Sequence, residues 1–398
     1  MGNAYDNASL IVTPNGYKAS KIYALKPTDG SSDLSFSRAS TALRRNSAGL
    51  WESVAINIPR LHYPVGGGCP SWLFEPQATN IFLASRVDDN NWFSVGSTKV
   101  LNSIQSPYSG YLATKLVEDN LSSTHIILAI DSGASNATYT ISFYAKTNGR
   151  NIGVLNNGLG STLICSFDLT AGTGTGTGFL SITDAGNGWW LCVCQYNPSV
   201  SGYNIQLRLL NGTNATYLGD GVSGAYVWGT QYELGSTATS PIITAGSAVT
   251  RLKDVSIATV NLSTNNTIYY EASVNILGGY FLDFKTDSLG RQFACFVNLD
   301  GSLLIDNYNN DVNRTDNISS TGIIIANTKF KLCLVSTGTS RTLFVNGIKY
   351  NTINQTFSGG DRIYNQQTFA DNLSMNNNNL LVYYQTSLSD TEAIALTT

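Results

Sequence analysis

The sequence predicts an all-β protein, an N-terminal extended segment followed by two jelly-roll-type β-sandwich domains. Three observations point there. Helical periodicity is nearly absent over 398 residues, while short alternating runs recur between Gly, Asn, Asp and Ser. Charged residues make up only 12% of the chain, well below a usual soluble domain, so Asn, Thr and Ser do the solvating. Hydrophobic residues reach 42% and aromatics 11%, enough apolar area to exclude disorder.

Taken in order, residues 1–80 are irregular, with scattered prolines and the run Gly66-Gly67-Gly68, and read as an extended attachment segment. A chain starting near Asp33 is therefore expected to remain folded. Residues 81–240 carry regular strand patterning, as in Thr138-Tyr139-Thr140-Ile141-Ser142-Phe143-Tyr144-Ala145. The polar stretch 241–254 reads as a linker, and 255–398 as a second sandwich. Within it Asn346-Gly347 joins Arg341-Thr342-Leu343-Phe344-Val345 to Ile348-Lys349-Tyr350, the signal of a type I′ hairpin. Ser389-Asp390-Thr391-Glu392 has capping-box spacing ahead of a C-terminal helix. The alternation Gly172-Thr173-Gly174-Thr175-Gly176-Thr177-Gly178 reads as a flexible loop; without a following Lys-Ser/Thr it is no phosphate cradle.

Several function classes fall away. A net charge of −3, with Arg44-Arg45 the longest basic cluster, excludes nucleic-acid binding as a main role. No apolar run is long enough to span a membrane, and the start lacks the basic and apolar parts of a signal peptide. Six scattered cysteines, mostly in strand-like runs, read as buried reduced thiols, which fits assembly in a reducing cytoplasm. Neither a metal site nor any cofactor is expected.

Three segments resemble a module of tailed-bacteriophage virion proteins. The first is Phe36-Ser37-Arg38-Ala39-Ser40-Thr41-Ala42, then Asn46 to Leu50, Glu52, Pro59-Arg60-Leu61, Leu73-Phe74-Glu75-Pro76-Gln77 and Thr79-Asn80. The second is Asp184 to Trp190; the third is Trp228-Gly229-Thr230-Gln231-Tyr232-Glu233-Leu234-Gly235 with Ala238-Thr239-Ser240 and Ala248-Val249-Thr250-Arg251. Trp51 and Trp190 depart from the pattern. This order resembles phage fibre and spike proteins whose middle domain is a carbohydrate-binding-module-like jelly roll. The C-terminal region is similar to concanavalin A/laminin-G-like domains, through Lys331 to Val335, the Asn346-Gly347 hairpin and Leu381-Val382-Tyr383-Tyr384. Asn- and Tyr-rich composition is similar to that of crAss-like phages.

The resemblance implies a head or tail fibre on the virion surface, held to other virion proteins through its N-terminal region. It implies a homotrimer, with a dimer as alternative, and weak multivalent adhesion to glycans. The other readings are a glycan-cleaving tail spike and an inert capsid decoration protein.

Chemistry for catalysis is sparse. His125, in a strand-like run, reads as a packed structural residue, and no nucleophile elbow or metalloprotease helix exists. Asp283 and Asp287 share a strand face but stand about 13 Å apart, too far for a glycosidase pair. We therefore expect no enzyme. Trp189 and Trp190 point to opposite, apolar faces of one strand, while Tyr226, Trp228, Thr230 and Tyr232 share a face of another. The expected sugar-stacking residues are Tyr280, Tyr308 and Tyr364, tyrosines in polar loops among Gly, Asn and Asp on the C-terminal domain. An N-terminal anchor would leave that domain outermost, as the receptor-facing surface.

Overall fold

In the computed structural model the regular structure is nearly all strand, with the helix Asp390–Thr397 following the last strand. The described residues are 6–87, 91–130, 136–156, 163–198, 204–274, 277–286, 290–309, 312–317, 321–353, 360–365 and 376–398. Side chains at 130, 261–262, 283–286, 290–294, 306–309, 312–317, 351, 353, 360–365 and 376–377 lie outside the description. Asp287 and Asp311 do as well.

The first sandwich is built from both ends of the chain. Sheet I runs, in space, Ile348–Ile353, Ser340–Val345, Lys329–Thr337, Asn266–Val274, Asn376–Tyr384, Ser71–Phe74 and Leu61–His62, with Leu10–Val12 also on Asn376–Tyr384. Sheet II runs Tyr17–Lys18, Lys21–Ile22, Leu34–Ser37, Val255–Leu262, Gly360–Asn365, Gly279–Thr286, Gly290–Val297, Leu303–Asn309 and Val312–Asn317. Between them lies one core, including Leu10, Val12, Ile22, Phe36, Trp72, Phe74, Tyr270, Phe281 and Phe330.

The expected separate N-terminal segment is thus corrected. Leu10-Ile11-Val12 is apolar on both faces because both are covered. Leu10 and Val12 enter the sandwich core, while Ile11 packs beneath the terminal helix with Ala393 and Phe344. Leu10 pairs with Tyr383, and Phe36 with Ser256. Loop-like composition hid these strands because each is only two to four residues long.

Local signals held where chemistry was local. Asn346 and Gly347 take positive φ of 49° and 79°, and Val345 pairs with Ile348 across the turn. Ser389 and Glu392 form the reciprocal capping box.

The middle sandwich is inserted into the first. The chain leaves through Ala78–Asn80 and returns through Val249–Arg251, which pair antiparallel. Sheet III runs Trp92–Val95, His125–Ile130, Asn204–Leu210, Asn151–Asn156, Leu163–Asp168 and Thr173–Thr175. Sheet IV runs Ser97–Gln105, Leu112–Glu118, Gly224–Leu234, Tyr139–Asn148, Trp189–Tyr196 and Phe179–Gly186. Their shared core includes Phe143, Ile152, Phe167, Leu207 and Tyr232. A hairpin from the first eighty residues, Ala42–Arg45 with Trp51–Val54, packs Leu43 and Trp51 against Trp189 and Trp228 on the outer face of sheet IV.

Two sequence expectations change here. Gly229, at φ 65°, sits where the register of Gly224–Leu234 slips. That bulge sends Trp228 outward with Tyr226 and turns Tyr232 into the core, so these aromatics do not share a face. The Gly-Thr repeat is no flexible loop: Thr173–Thr175 pairs with Leu163–Asp168. At Gly178 a Cβ would meet the Gln195 carbonyl at 2.3 Å, so only glycine lets the chain lie this close. The expectation for the strand Trp189–Tyr196 holds, with Trp189 in the outer cluster and Trp190 against the core.

The pairing reverses what Asp33 as a start site was expected to allow. A chain beginning there loses Leu10, Val12 and Ile22 from the core and should show no cooperative unfolding at the melting temperature of the full chain. An unchanged melting curve would mean that these strands add nothing to the fold.

Candidate functional site

Four charged residues of the segments that carry the phage resemblance, Arg38, Arg60, Glu75 and Arg251, meet Asp254 at the junction of the two sandwiches. Arg38 donates from Nη1 to Asp254 at 3.0 Å and binds the carbonyls of Ser40, Ile58 and Ala55. Arg60 bridges Glu75 and Asp254 and also reaches the Leu43 carbonyl. Glu75 accepts from Ser240 through Oγ at 2.6 Å and N at 2.7 Å, and Arg251 lies 3.4 Å from its carboxylate. The side chains of Arg38, Arg60, Glu75 and Asp254 have no solvent exposure. The stretch 241–254 is thus no solvated linker: Arg251 and Asp254 are buried in this network.

Burial opposes the charged form of Glu75, but Arg251 and Arg60 hold its carboxyl down to about 2. Next to the network, burial pushes the Glu233 carboxyl up to about 7, against donation from Thr239 and the nearby Arg251. His62 is driven down to about 3, first by burial and then by Arg45 and Arg60.

A recess lies on the outer face of sheet IV. It holds about 480 Å³, within the range of small-ligand sites, and is walled by Tyr226, Trp189 and Ile104. Asn148 and Asn187 supply amides at its rim beside Gln105, whose Nε2 donates to the carbonyls of Ser106, Tyr108 and Tyr111, and Lys146 reaches across to the Asn187 carbonyl at 2.7 Å. Leu50, in the turn of the N-terminal hairpin, closes one side. A half-buried tyrosine beside side-chain amides suits a pyranose, whose ring face is apolar and whose edge is all hydroxyls. Sequence reading passed over Tyr226 because the bulge that turns its end of the strand outward is a tertiary feature.

Of the expected sugar-stacking residues, Tyr280 packs edge-on against Phe296 at 4.8 Å. Phe296 lines a wider cleft of about 850 Å³ between the sandwiches, with Gln77, Glu233 and Asp300. Tyr308 and Tyr364 fall in the strands Leu303–Asn309 and Gly360–Asn365, paired with Asn313 and with Ile257 and Asp283; their side chains lie outside the described residues. The backbone does not bring the three to one place: Tyr364 pairs with Asp283, three residues along the strand from Tyr280.

Carboxylates elsewhere are committed to structure. Glu118 accepts from Arg150 twice at 2.6 Å, from Tyr217 Oη and from Asp220 N. Asp300 holds its own turn through Ser302. His125 is fully buried, with Nδ1 2.6 Å from the Gly96 carbonyl, as expected of a structural histidine. Cys165, Cys192, Cys194, Cys295 and Cys333 are buried free thiols and Cys69 is exposed. No described cluster of His, Cys, Asp or Glu could hold a metal, and no described helix is long and apolar enough to cross a membrane.

No family model matches the chain, and no curated protein does. Among solved structures it is similar to the CBM40 of Ruminococcus gnavus IT-sialidase, at 18% identity over 34% of this chain and 84% of that one, TM-score 0.29. It is similar to the native heptameric SAP-like pentraxin of Limulus polyphemus, at 16% identity over 35% and 72%, TM-score 0.29. A third is the botulinum neurotoxin serotype D binding domain, at 12% identity over 35% and 39%, TM-score 0.29.

Two outcomes test the junction. Arg60→Met leaves Glu75 and Asp254 buried without their main partner and should cost about 3–5 kcal/mol in urea unfolding. The pH dependence has two arms of opposite sign. Glu75, held below its usual 4.5, adds stability that is present above 4.5 and lost as pH falls toward about 2. Glu233, raised from 4.5, adds stability present below 4.5 and lost as pH rises through about 7. Glu233→Gln should therefore abolish the decline between those two values while leaving the acid limb unchanged.

Proposed function

We propose that the chain is a non-enzymatic virion appendage, a phage head or tail fibre that adheres weakly and multivalently to glycans. The observation that carries the adhesion reading is the recess of Tyr226, Gln105, Asn148 and Asn187, an aromatic wall rimmed by amides and free of any lining carboxylate. The non-enzymatic reading is supported by how Glu75, Glu118, Glu233 and Asp254 are spent on structural donors. The virion assignment rests on the segments that resemble fibre proteins.

The fold changes how display would work. Both chain ends belong to the first sandwich, since Leu10–Val12 pairs with Leu381 to Tyr383. An N-terminal anchor would therefore hold this sandwich against the particle and present the inserted one. That removes the premise that placed the receptor-facing surface on residues 255–398. Trimerisation through exposed strand faces belongs to the same proposal.

A glycan array, followed by adsorption assays on particles, tests it. Tyr226→Ala should weaken retention of bound glycans about fivefold, the loss of roughly 1 kcal/mol of stacking, with an unchanged melting temperature. Tyr280→Ala should leave retention unchanged. An array with no bound glycan would identify an inert decoration protein, and new reducing ends in incubated polysaccharide would identify an enzyme.

A further inference from the structure

Register fixes the outer face of sheet III. Phe93, Leu128, Gln206 and Leu155 form one row across four strands, and Val95, Ile126, Arg208 and Gly153 form the next. The opposite row, Trp92, Ala129 and Ile205, enters the core, so both rows face away from it. Exposure falls along them. Phe93 and Val95, on the edge strand, are about half exposed, Leu128 is half-buried, and Arg208 retains 8%.

Arg208 differs from the arginines of the junction. Arg38, Arg60 and Arg251 each stand against a buried carboxylate. Arg208 has no carboxylate within 4 Å among the described residues. Its guanidinium bonds to Gln206 Oε1 at 3.4 Å, and Nε has no partner. Desolvation alone pulls its pKa down, with no opposing charge to restore it. A guanidinium this far removed from water and matched to no carboxylate is a strong receptor for one. The apolar approach from Phe93 spans two interstrand spacings, about 10 Å, roughly the reach of two sugar rings.

We propose that this face is a second saccharide subsite, selective for a sugar bearing a carboxylate. The acid would sit on Arg208 and Gln206, and the apolar face of the sugar would lie toward Leu128 and Phe93. The subsite deepens the adhesion reading and rests on it, but it is separate from the Tyr226 recess on the opposite sheet.

Titration of the full chain with sodium glucuronate, its methyl ester and glucose, by calorimetry or ligand-observed NMR, tests the assignment. Glucuronate should bind about tenfold tighter than the ester or glucose, and the advantage should shrink with added salt. Arg208→Gln should erase that preference without lowering the melting temperature, because it removes a buried unpaired charge. Arg208→Lys, which keeps the charge and loses the fork, should retain only part of it. Phe93→Ala should weaken glucuronate binding, while Tyr226→Ala should not. Equal binding of acid and ester, or an unaltered preference in Arg208→Gln, would overturn the subsite even where neutral sugars still bind the recess. Failure of all three sugars together with an empty glycan array would overturn the adhesion reading as well.

Discussion

Everything in this fold depends on closing one junction. Arg38, Arg60, Glu75, Asp254 and Arg251 arrive from separate stretches of chain and meet where water is excluded. Buried charges are tolerable only in company, so each member constrains the others. Arg60 ties the N-terminal hairpin, through the Leu43 carbonyl, to the segment re-entering the first sandwich at Asp254. Ser240, past the end of the long Gly224–Leu234 strand, is bound to Glu75 at the exit of the first sandwich. Exit and return of the inserted domain are thereby locked at one point.

That lock explains an otherwise costly topology. Sheets I and II pair residues hundreds of positions apart, with the whole middle sandwich intervening between Phe36 and its neighbour Ser256. Pairings so distant bring a large loop-closure cost that local contacts do not offset. The Ala78–Asn80 and Val249–Arg251 ribbon shortens the effective loop, because a folded insert behaves as a compact bridge rather than as free chain. The network then fixes the ribbon beside the first sandwich.

The same architecture separates structural charge from uncharged aromatic and amide surface. Carboxylates at the junction and around Arg150 are saturated by donors, while the faces of the middle sandwich offer aromatic and amide surface and one uncompensated guanidinium. Low overall charge makes that contrast sharper. With so few ions on the surface, a desolvated arginine without a carboxylate beside it is a distinct local feature.

The sequence by itself determined what short-range chemistry controls. Alternation specified strands, Asn346-Gly347 specified a hairpin through positive φ, and Ser389 with Glu392 specified the start of the helix. Apolar strand-like runs placed most cysteines in the core. Only the tertiary structure decided which strands pair, because backbone hydrogen bonding carries no sequence label and Leu10-Ile11-Val12 looks like any short apolar run. It alone showed that Arg38, Arg60, Glu75 and Arg251 form one cluster with Asp254. It alone revealed the bulge at Gly229 that turns Tyr226 outward. The strand Asn204–Leu210 places Gln206 and Arg208 on the face away from the core. That they are nonetheless buried depends on residues distant in sequence, a fact no local pattern contains.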